Sequence, residues 1–257
     1  MLRRNWTRDE LLVAFNFYCR TPYGLYHTGN PDIVRLAEKI GRSPGAVAMK
    51  LGNLASFDPV HQARGVQGLS NAGQGDKEIW NDFNADPESL AVESQGAFNR
   101  IVLGEVVPEV EARELTIPSG PTEATRTVRT RLVQGFFREA VLSSYGFQCA
   151  VCELNLAELL NASHIIPWGK NIERRADPRN GLSLCALHDR AFDRGLIAFD
   201  EAFQVLLSPR LKQEADKAGR VQRVALLEIE SKPLLMPKRF APDPDALKFH
   251  RENIFKG

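Results

Sequence analysis

Cysteine, net charge and long apolar runs are all scarce in this sequence, and each scarcity excludes a class of protein. The 257 residues include only 4 cysteines, too few for a disulfide framework, so we expect a reducing, cytoplasmic setting with thiols available to a metal. A formal net charge of +1 argues against a basic nucleic-acid coat, although local basic patches remain compatible with it. No apolar run approaches the roughly 20 residues that span a bilayer, so no membrane partner is expected.

The rest of the composition is that of an ordinary globular protein. Hydrophobic residues make up 43% of the chain and charged residues 25%, so the length suits one large domain or two small ones. Local patterns predict an α+β protein in three parts. These are a helical module at 1–60, an irregular linker at 61–125 that holds two short helices near 78–83 and 87–92, and a mixed domain at 126–257.

The first 60 residues carry clear helix signals. Thr7 with Glu10 forms a capping-box pattern, and Ser43 followed by Pro44 is typical of a helix start. Two helices around a short glycine-containing turn resemble a helix-turn-helix, in which Arg42 and Lys50, with Ser43 and Asn53, would face DNA. The alternative is a three-helix bundle whose turn has no role in binding.

Arginines are concentrated in the predicted helix at 126–146. Val128, Leu132 and Phe136 are spaced to form a buried stripe. The other faces carry arginines that are candidates for gripping a phosphate backbone, among them Arg129, Arg131 and Arg138. The usual alternative for such a charge run is a solvated helix face.

Sulfur and imidazole ligands occur in two pairs after this helix. Cys149 and Cys152 form a C-x-x-C pair, and Cys185 and His188 form a C-x-x-H pair. Two pairs of this type suit a tetrahedral zinc ion that has a structural role.

Two further residues, His164 and Asn180, lie between those pairs, and a zinc knuckle requires neither of them. His164 lies in a short β-type run, where a strand end can hold a neutral imidazole that acts as a base near pH 7. The alternative for His164 is a core histidine bonded to the backbone. Asn180 lies where a loop turns into a predicted helix, so it can cap that helix or bond across the loop.

The ordered set of Cys-x-x-Cys, ASHIIPW and NGLSLCALHDRAFDRG resembles the HNH endonuclease superfamily, whose members share a ββα-metal fold. A structural zinc ribbon is the alternative. The resemblance implies that His164 is the general base, that Asn180 braces the loop carrying it, and that this loop lies near the substrate. A second phosphate-binding patch is therefore expected at the loop cations Lys170, Arg174, Arg175 and Arg179.

The expected ligands of a catalytic metal depart from the family pattern. Many relatives have an Asp or His directly before the base, where this chain has Ser163, a poor ligand. In one scheme His188 completes the zinc site, while Asp189 and Asp193 share a helix face and bind a hard ion such as Mg²⁺. In the other, His188 binds the catalytic metal. The helix direction favours the first scheme, and ion pairing of the two carboxylates with Arg190 or Arg194 is a third reading.

Together these features predict a metal-dependent endonuclease that cuts duplex DNA, of the bacterial restriction type and compatible with dependence on base modification. Cutting both strands usually takes two active sites, so a homodimer is one expected form. The alternative is a non-catalytic, zinc-stapled DNA-binding protein with a decayed HNH domain. This alternative remains because Ser163, a poor ligand, occupies an expected metal-binding position. Single-stranded DNA or RNA as the substrate is also open.

After Gly195, the alternation in 196–209 predicts two short strands, and 226–235 a further one. The tail at 242–255 predicts a helix, with His250 as a surface or packing residue.

Overall fold

The computed structural model describes residues 4–65, 73–105 and 123–257, with side chains from residue 128 in the last range. The chain divides into two compact units, Met1–Glu139 and Ala140–Gly257. Two stretches of the expected linker at 61–125, residues 66–72 and 106–122, lie outside the described residues. Within the described ranges, no helix is both long and apolar enough to cross a membrane.

The first unit is helical. Its helices are α1 (Arg8–Arg20), α2 (Pro31–Lys39), α3 (Pro44–Ala55), α4 (Pro59–Ala63), α5 (Gln74–Ala85) and α6 (Pro87–Phe98), followed by a π-helical turn at Asn99–Leu103 and by α7 (Glu123–Ser144), which runs past the unit boundary.

Local capping sets the starts of these helices, as the sequence predicts. Thr7 Oγ1 accepts from Glu10 N, and a Glu10 carboxylate oxygen accepts from Thr7 N, which completes the capping box of α1. Ser43 caps α3 with Pro44 at its first position. Gly41, with φ of +64°, makes the turn between α2 and α3.

Aromatic side chains form the core of this unit. The ring of Phe15 lies 5.0 Å from that of Phe83 and 6.3 Å from that of Phe136, while Trp80 packs edge-on against it at 6.4 Å. Residues of α5 and α7 therefore share one core with α1.

The region between residues 73 and 98 is thus part of the first unit, which corrects the expected division at 1–60, 61–125 and 126–257. Helices α5 and α6 are also longer than predicted. The polar residues Ser94 and Gln95 extend α6 because their side chains are buried and accept hydrogen bonds from Asn16 Nδ2 at 3.4 and 3.2 Å. Because both residues are polar, the sequence does not indicate that they are buried.

The second unit contains two small antiparallel hairpins. Its elements are β1 (Leu160–His164), β2 (Gly181–Cys185), α8 (Ala186–Asp193), β3 (Ile197–Phe199), β4 (Val205–Leu207), α9 (Pro209–Gln213), α10 (Arg220–Gln222) and α11 (Pro244–Asn253), with short 3₁₀ segments at Ala157–Leu159, Pro178–Asn180 and Ala215–Lys217 and a π-helical turn at Arg223–Leu227. The α+β class, the strands after Gly195 and the tail helix are confirmed. The strand expected at 226–235 is wrong, because its first half continues the π-helical turn and only Pro233 forms an isolated bridge, with Gln204.

Candidate active site

The ββα unit is built from β1, β2 and α8. Strands β1 and β2 pair so that Leu160 lies opposite Cys185 and His164 lies opposite Gly181. Leu182 and Leu184 of β2 are fully buried, which fixes the register because a slip by one residue would turn both toward the opposite face. Helix α8 follows β2 without a loop, with Cys185 as its N-cap residue.

Four potential metal ligands meet at one end of this unit. The ligand atoms of Cys149, Cys152, Cys185 and His188 all lie within 4.8 Å of one another. His188 Nδ1 is 3.2 Å from Cys185 Sγ and 3.5 Å from Cys149 Sγ, and the Sγ atoms of Cys152 and Cys185 are 3.9 Å apart. In tetrahedral zinc sites, bonds of about 2.3 Å to sulfur and about 2.1 Å to nitrogen place donors roughly 3.6–3.8 Å apart. The donor set and its spacing therefore fit a zinc ion.

His188 belongs to this cluster through both ring nitrogens. Its Nδ1 faces the sulfur atoms, and its Nε2 is 2.8 Å from the carbonyl oxygen of Ala225, an acceptor of the kind that orients metal-binding histidines. Because both ring nitrogens have partners here, the geometry favours the scheme in which His188 completes the ligand cluster.

His164 lies at the end of β1, as the sequence predicts. Its Nε2 is 3.0 Å from the carbonyl oxygen of Arg175, so Nε2 carries the proton and donates, which leaves Nδ1 as the basic nitrogen. Burial lowers the pKa of His164, and the nearby positive charge of Arg175 acts in the same direction, against the hydrogen bond to the Arg175 carbonyl. The ring is therefore held in its neutral, proton-accepting form.

Asn180 ties the two ends of the intervening loop together. Its Oδ1 accepts from Ile166 N at 2.8 Å, while its Nδ2 donates to the carbonyl oxygens of Ile166 at 3.1 Å and Arg174 at 3.2 Å. Asn180 has 1% of its surface exposed and makes the cross-loop bonds, one of the two roles that the sequence left open. The other role, capping a helix, is wrong because strand β2 follows Asn180.

Two carboxylates lie one turn apart on α8. Asp189 accepts a hydrogen bond at 2.8 Å from Nδ2 of Asn161, which lies on β1. Desolvation raises the pKa of Asp193, and the charge of Asp189 raises it further, while the weaker effects of Arg190 and Arg194 oppose both. The charge of Asp189 therefore raises the pKa of Asp193 more than either adjacent arginine lowers it.

Most of the predicted DNA-binding cations of the second unit are engaged within the fold. Arg174 pairs with Asp243, Arg179 with Asp177 at 2.8 Å, and Arg175 donates from Nε to the Trp168 carbonyl oxygen at 2.8 Å. Lys170, by contrast, is exposed on the same loop.

The predicted cations of the helix-turn-helix also have partners inside the first unit. Arg42 pairs with Glu10 at 2.7 Å and is largely covered, while Lys50 is buried against the fully buried Asp76. The prediction that Arg42 and Lys50 face DNA is therefore corrected, because removing either cation from its carboxylate would leave a poorly solvated charge.

The three predicted cations of α7 differ in their surroundings. Arg129 pairs with Glu88 at 3.0 Å. Arg131 and Arg138 are exposed on the helix.

Four residues that support the site have no diagnostic pattern in the sequence. Asn161 and Trp168 lie three residues before and four residues after the base, but neither residue type is diagnostic. Asp243 and Ala225 are far along the chain, and Ala225 acts through its backbone. A sequence pattern cannot report such contacts.

Comparison with known proteins agrees with this geometry. A family model described as HNH endonuclease matches residues 149–200. No curated protein matches the chain. Among solved structures, the chain is similar to one titled modification dependent TagI restriction endonuclease, with a TM-score of 0.35 and 20% identity over 46% of this chain and 37% of that one.

The chain thus spans little more than a third of that structure's length. The segment at 149–200 that the family model matches contains the four cluster ligands, His164, Asn180 and the ββα unit. Residues 149–200 are therefore an HNH endonuclease domain.

Proposed function

We propose that the second unit is a metal-dependent endonuclease that hydrolyses phosphodiester bonds in DNA, with His164 as its general base. The observation that carries this proposal is the His164 ring at the end of β1, held by the Arg175 carbonyl so that Nδ1 is the basic nitrogen. Its lowered pKa keeps that nitrogen unprotonated near neutral pH.

The reaction then follows from ordinary hydrolysis. His164 Nδ1 takes a proton from a water molecule whose oxygen attacks phosphorus, and the bond from phosphorus to the leaving oxygen breaks. A divalent ion, when bound, offsets the charge on the phosphate and on the leaving oxygen. Asn180 holds the loop that carries the Arg175 carbonyl and thereby keeps the base in place.

Asp189 and Asp193 would hold that ion, with Mg²⁺ as the hard cation that carboxylate oxygens prefer. The structure contains two features that fit. Burial and, second, the charge of Asp189 raise the pKa of Asp193, and a bound cation would offset both effects. Ser163, on the same face of β1 as Asn161 by strand alternation, has a buried hydroxyl oxygen with no hydrogen-bond partner among the described residues. Asn161 uses one oxygen of Asp189, and a carboxylate keeps further acceptor capacity.

The proposal includes DNA as the substrate and a restriction-type role in a bacterial cytoplasm, and the HNH endonuclease match at 149–200 supports its nuclease part. Lys170, Arg131 and Arg138 are the exposed cations proposed for phosphate contacts. A homodimer would supply two active sites for cutting both strands. Dependence on base modification belongs to the same proposal.

A plasmid-nicking assay tests the proposal. Wild type with Mg²⁺, Mn²⁺ or Ni²⁺ is expected to nick supercoiled DNA at least about 100-fold faster than His164→Ala, the usual contribution of a general base. His27→Ala, which removes an exposed histidine of the first unit, is the control and keeps wild-type activity.

Equal nicking by wild type and His164→Ala under every metal would support the alternative of a non-catalytic, zinc-stapled DNA-binding protein. Competition by duplex DNA, single-stranded DNA and RNA identifies the preferred substrate.

A further inference from the structure

Trp168 and Arg175 each contact the His164 ring and also contact each other. The Trp168 indole meets the imidazole edge to face, with ring centroids 5.5 Å apart and an interplanar angle of 89°. The Arg175 guanidinium lies over the same indole, with its carbon 5.0 Å from the ring centroid. Arg175 Nε also donates to the Trp168 carbonyl oxygen at 2.8 Å.

Arg175 therefore acts on His164 from two directions. Its backbone carbonyl accepts a hydrogen bond from His164 Nε2 at 3.0 Å. Its side chain contacts Trp168, whose indole packs against the same imidazole. The carbonyl alone fixes one nitrogen, but the χ2 torsion of a histidine is broad. An aromatic ring set at right angles to the imidazole restricts that rotation.

We propose that the side chains of Trp168 and Arg175 form a positioning pair that fixes the orientation of the His164 imidazole and thereby keeps its Nε2 on the Arg175 carbonyl. This inference rests on the proposed role of His164 as the base. It reassigns Arg175 from phosphate binding to positioning, and it gives Trp168 a role that its sequence position did not indicate.

Arginine is suited to this task and lysine is not. A planar guanidinium stacks on an indole while its Nε donates in the same plane, whereas an ammonium is a compact point charge without that geometry. Lysine does bind phosphate well as a point charge. Arg175→Lys therefore separates the two roles, because it keeps the charge and loses the stacking and the fixed Nε donor.

Steady-state nicking kinetics of the full-length, metal-loaded protein form the first arm of the test. Arg175→Lys and Trp168→Ala are expected to lower kcat about 10- to 100-fold, the cost of a misplaced catalytic group, with KM changed less than about threefold. Trp168→Phe, which keeps an aromatic ring, is expected to retain kcat within about threefold. Lys170→Ala, which removes an exposed cation of the same loop, is expected to raise KM instead.

A wild-type kcat in Arg175→Lys would overturn the proposal, as would a rise in KM that matches that of Lys170→Ala. Zinc content and melting temperature measured on each variant identify loss of fold. If Trp168→Ala does not fold, Arg175→Lys and Trp168→Phe still decide the question.

The second arm does not depend on cleavage. Nitrogen-15 NMR of histidine-labelled protein, with His164 assigned from the His164→Gln variant, reports which ring nitrogen is protonated. Wild type is expected to show a protonated Nε2, and Arg175→Lys a shift toward a mixture of tautomers. Unchanged His164 nitrogen shifts in Arg175→Lys would contradict the proposal. If wild type shows the fixed tautomer but cuts no DNA, the proposed nuclease function fails while the positioning pair stands.

Discussion

At the scale of single residues, the histidines of the second unit differ in what their rings contact. His250 stacks on Phe192, with ring centroids 3.6 Å apart and planes 3° from parallel. Its Nε2 is 3.1 Å from the Phe192 carbonyl oxygen, and 1% of its surface is exposed. Burial lowers the pKa of His250 to about 4. This histidine is a neutral packing residue, one of the two roles that the sequence allowed.

His250 makes stability depend on pH. In the unfolded chain an ordinary histidine binds a proton below about pH 6.5, whereas folded His250 does so only near pH 4. The unfolded state therefore binds more protons between these values, and stability falls as pH falls through that window. We expect the free energy of unfolding of wild type to drop by up to about 3 kcal/mol from pH 7 to pH 4 on account of this residue, measured by urea denaturation.

The His250→Gln variant provides the comparison, because its side chain does not titrate. It is expected to be less stable at pH 7 but to show a weaker dependence on pH. The exposed-residue variant His27→Gln should keep the wild-type pH dependence. A wild-type slope in His250→Gln would contradict the assignment.

At the scale of elements, a buried polar cluster joins α3 to α5. Lys50 pairs with Asp76, Asn53 Nδ2 donates to the same carboxylate at 3.2 Å, and the Lys50 ammonium lies 4.8 Å from the Trp6 ring centroid. Asp76 is fully buried. Lys50 therefore stabilises helix packing.

Lys50→Ala should thus act on stability. Removing one member of a buried ion pair leaves an uncompensated charge, so we expect the free energy of unfolding to fall by about 3–5 kcal/mol. Thermal and urea denaturation measure the change. Lys39→Ala, at an exposed position of α2, is the control and should cost less than about 0.5 kcal/mol. Undiminished stability together with weakened DNA binding in Lys50→Ala would restore the original reading of this helix.

The same cluster shows what sequence could and could not predict. Helix starts were predictable because Thr7 and Ser43 cap residues three positions away. The candidate metal ligands were predictable because only two residues separate the members of each pair. Lys50 was misread because its partner lies 26 residues further on, and a lysine on a helix looks the same whether it faces DNA or a buried carboxylate.

Loops were harder to predict than regular elements. Sequence reasoning placed His164 and Asn180 but not the contacts of Trp168 and Arg175, since stacking between loop residues has no periodic signature. The segment at 226–235 was wrongly predicted as a strand because the prediction used only its alternating apolar residues. The sequence does not show that the preceding residue, Ala225, contacts His188 through its carbonyl oxygen in the folded chain.

At the scale of the whole molecule, the two units depend on different interactions. The first has an aromatic core around Phe15. In the second, the ligand cluster joins the 149–152 knuckle to β2 and α8 and, through the His188–Ala225 bond, to the π-helical turn. Small ββα units bury little apolar surface, so metal binding supplies much of their stability.

Removing zinc is therefore expected to destabilise the second unit selectively. Treatment with a strong chelator should increase amide hydrogen exchange across 147–200 and 220–228, while α1 and α6 keep their protection. Mass spectrometry of peptide fragments measures both regions in one experiment.

Metal analysis provides the control for the same prediction. Cys185→Ser should lower bound zinc from about one ion per chain, whereas Cys19→Ala, at the buried cysteine outside the cluster, should leave it unchanged. Equal exchange increases in both units would contradict a selective role for the metal.

The fixed length of strand β2 limits where this domain can gain or lose residues. Asn180 fastens one end to the loop and Cys185 fastens the other to the ligand cluster, five residues or about 17 Å of extended chain away. The strand therefore acts as a spacer of fixed length. Inserting one residue into it would invert one anchor relative to the other. Because Arg174 and Arg175 contact Asn180 and His164, we expect changes in chain length to be tolerated at 169–173 rather than between the two anchors.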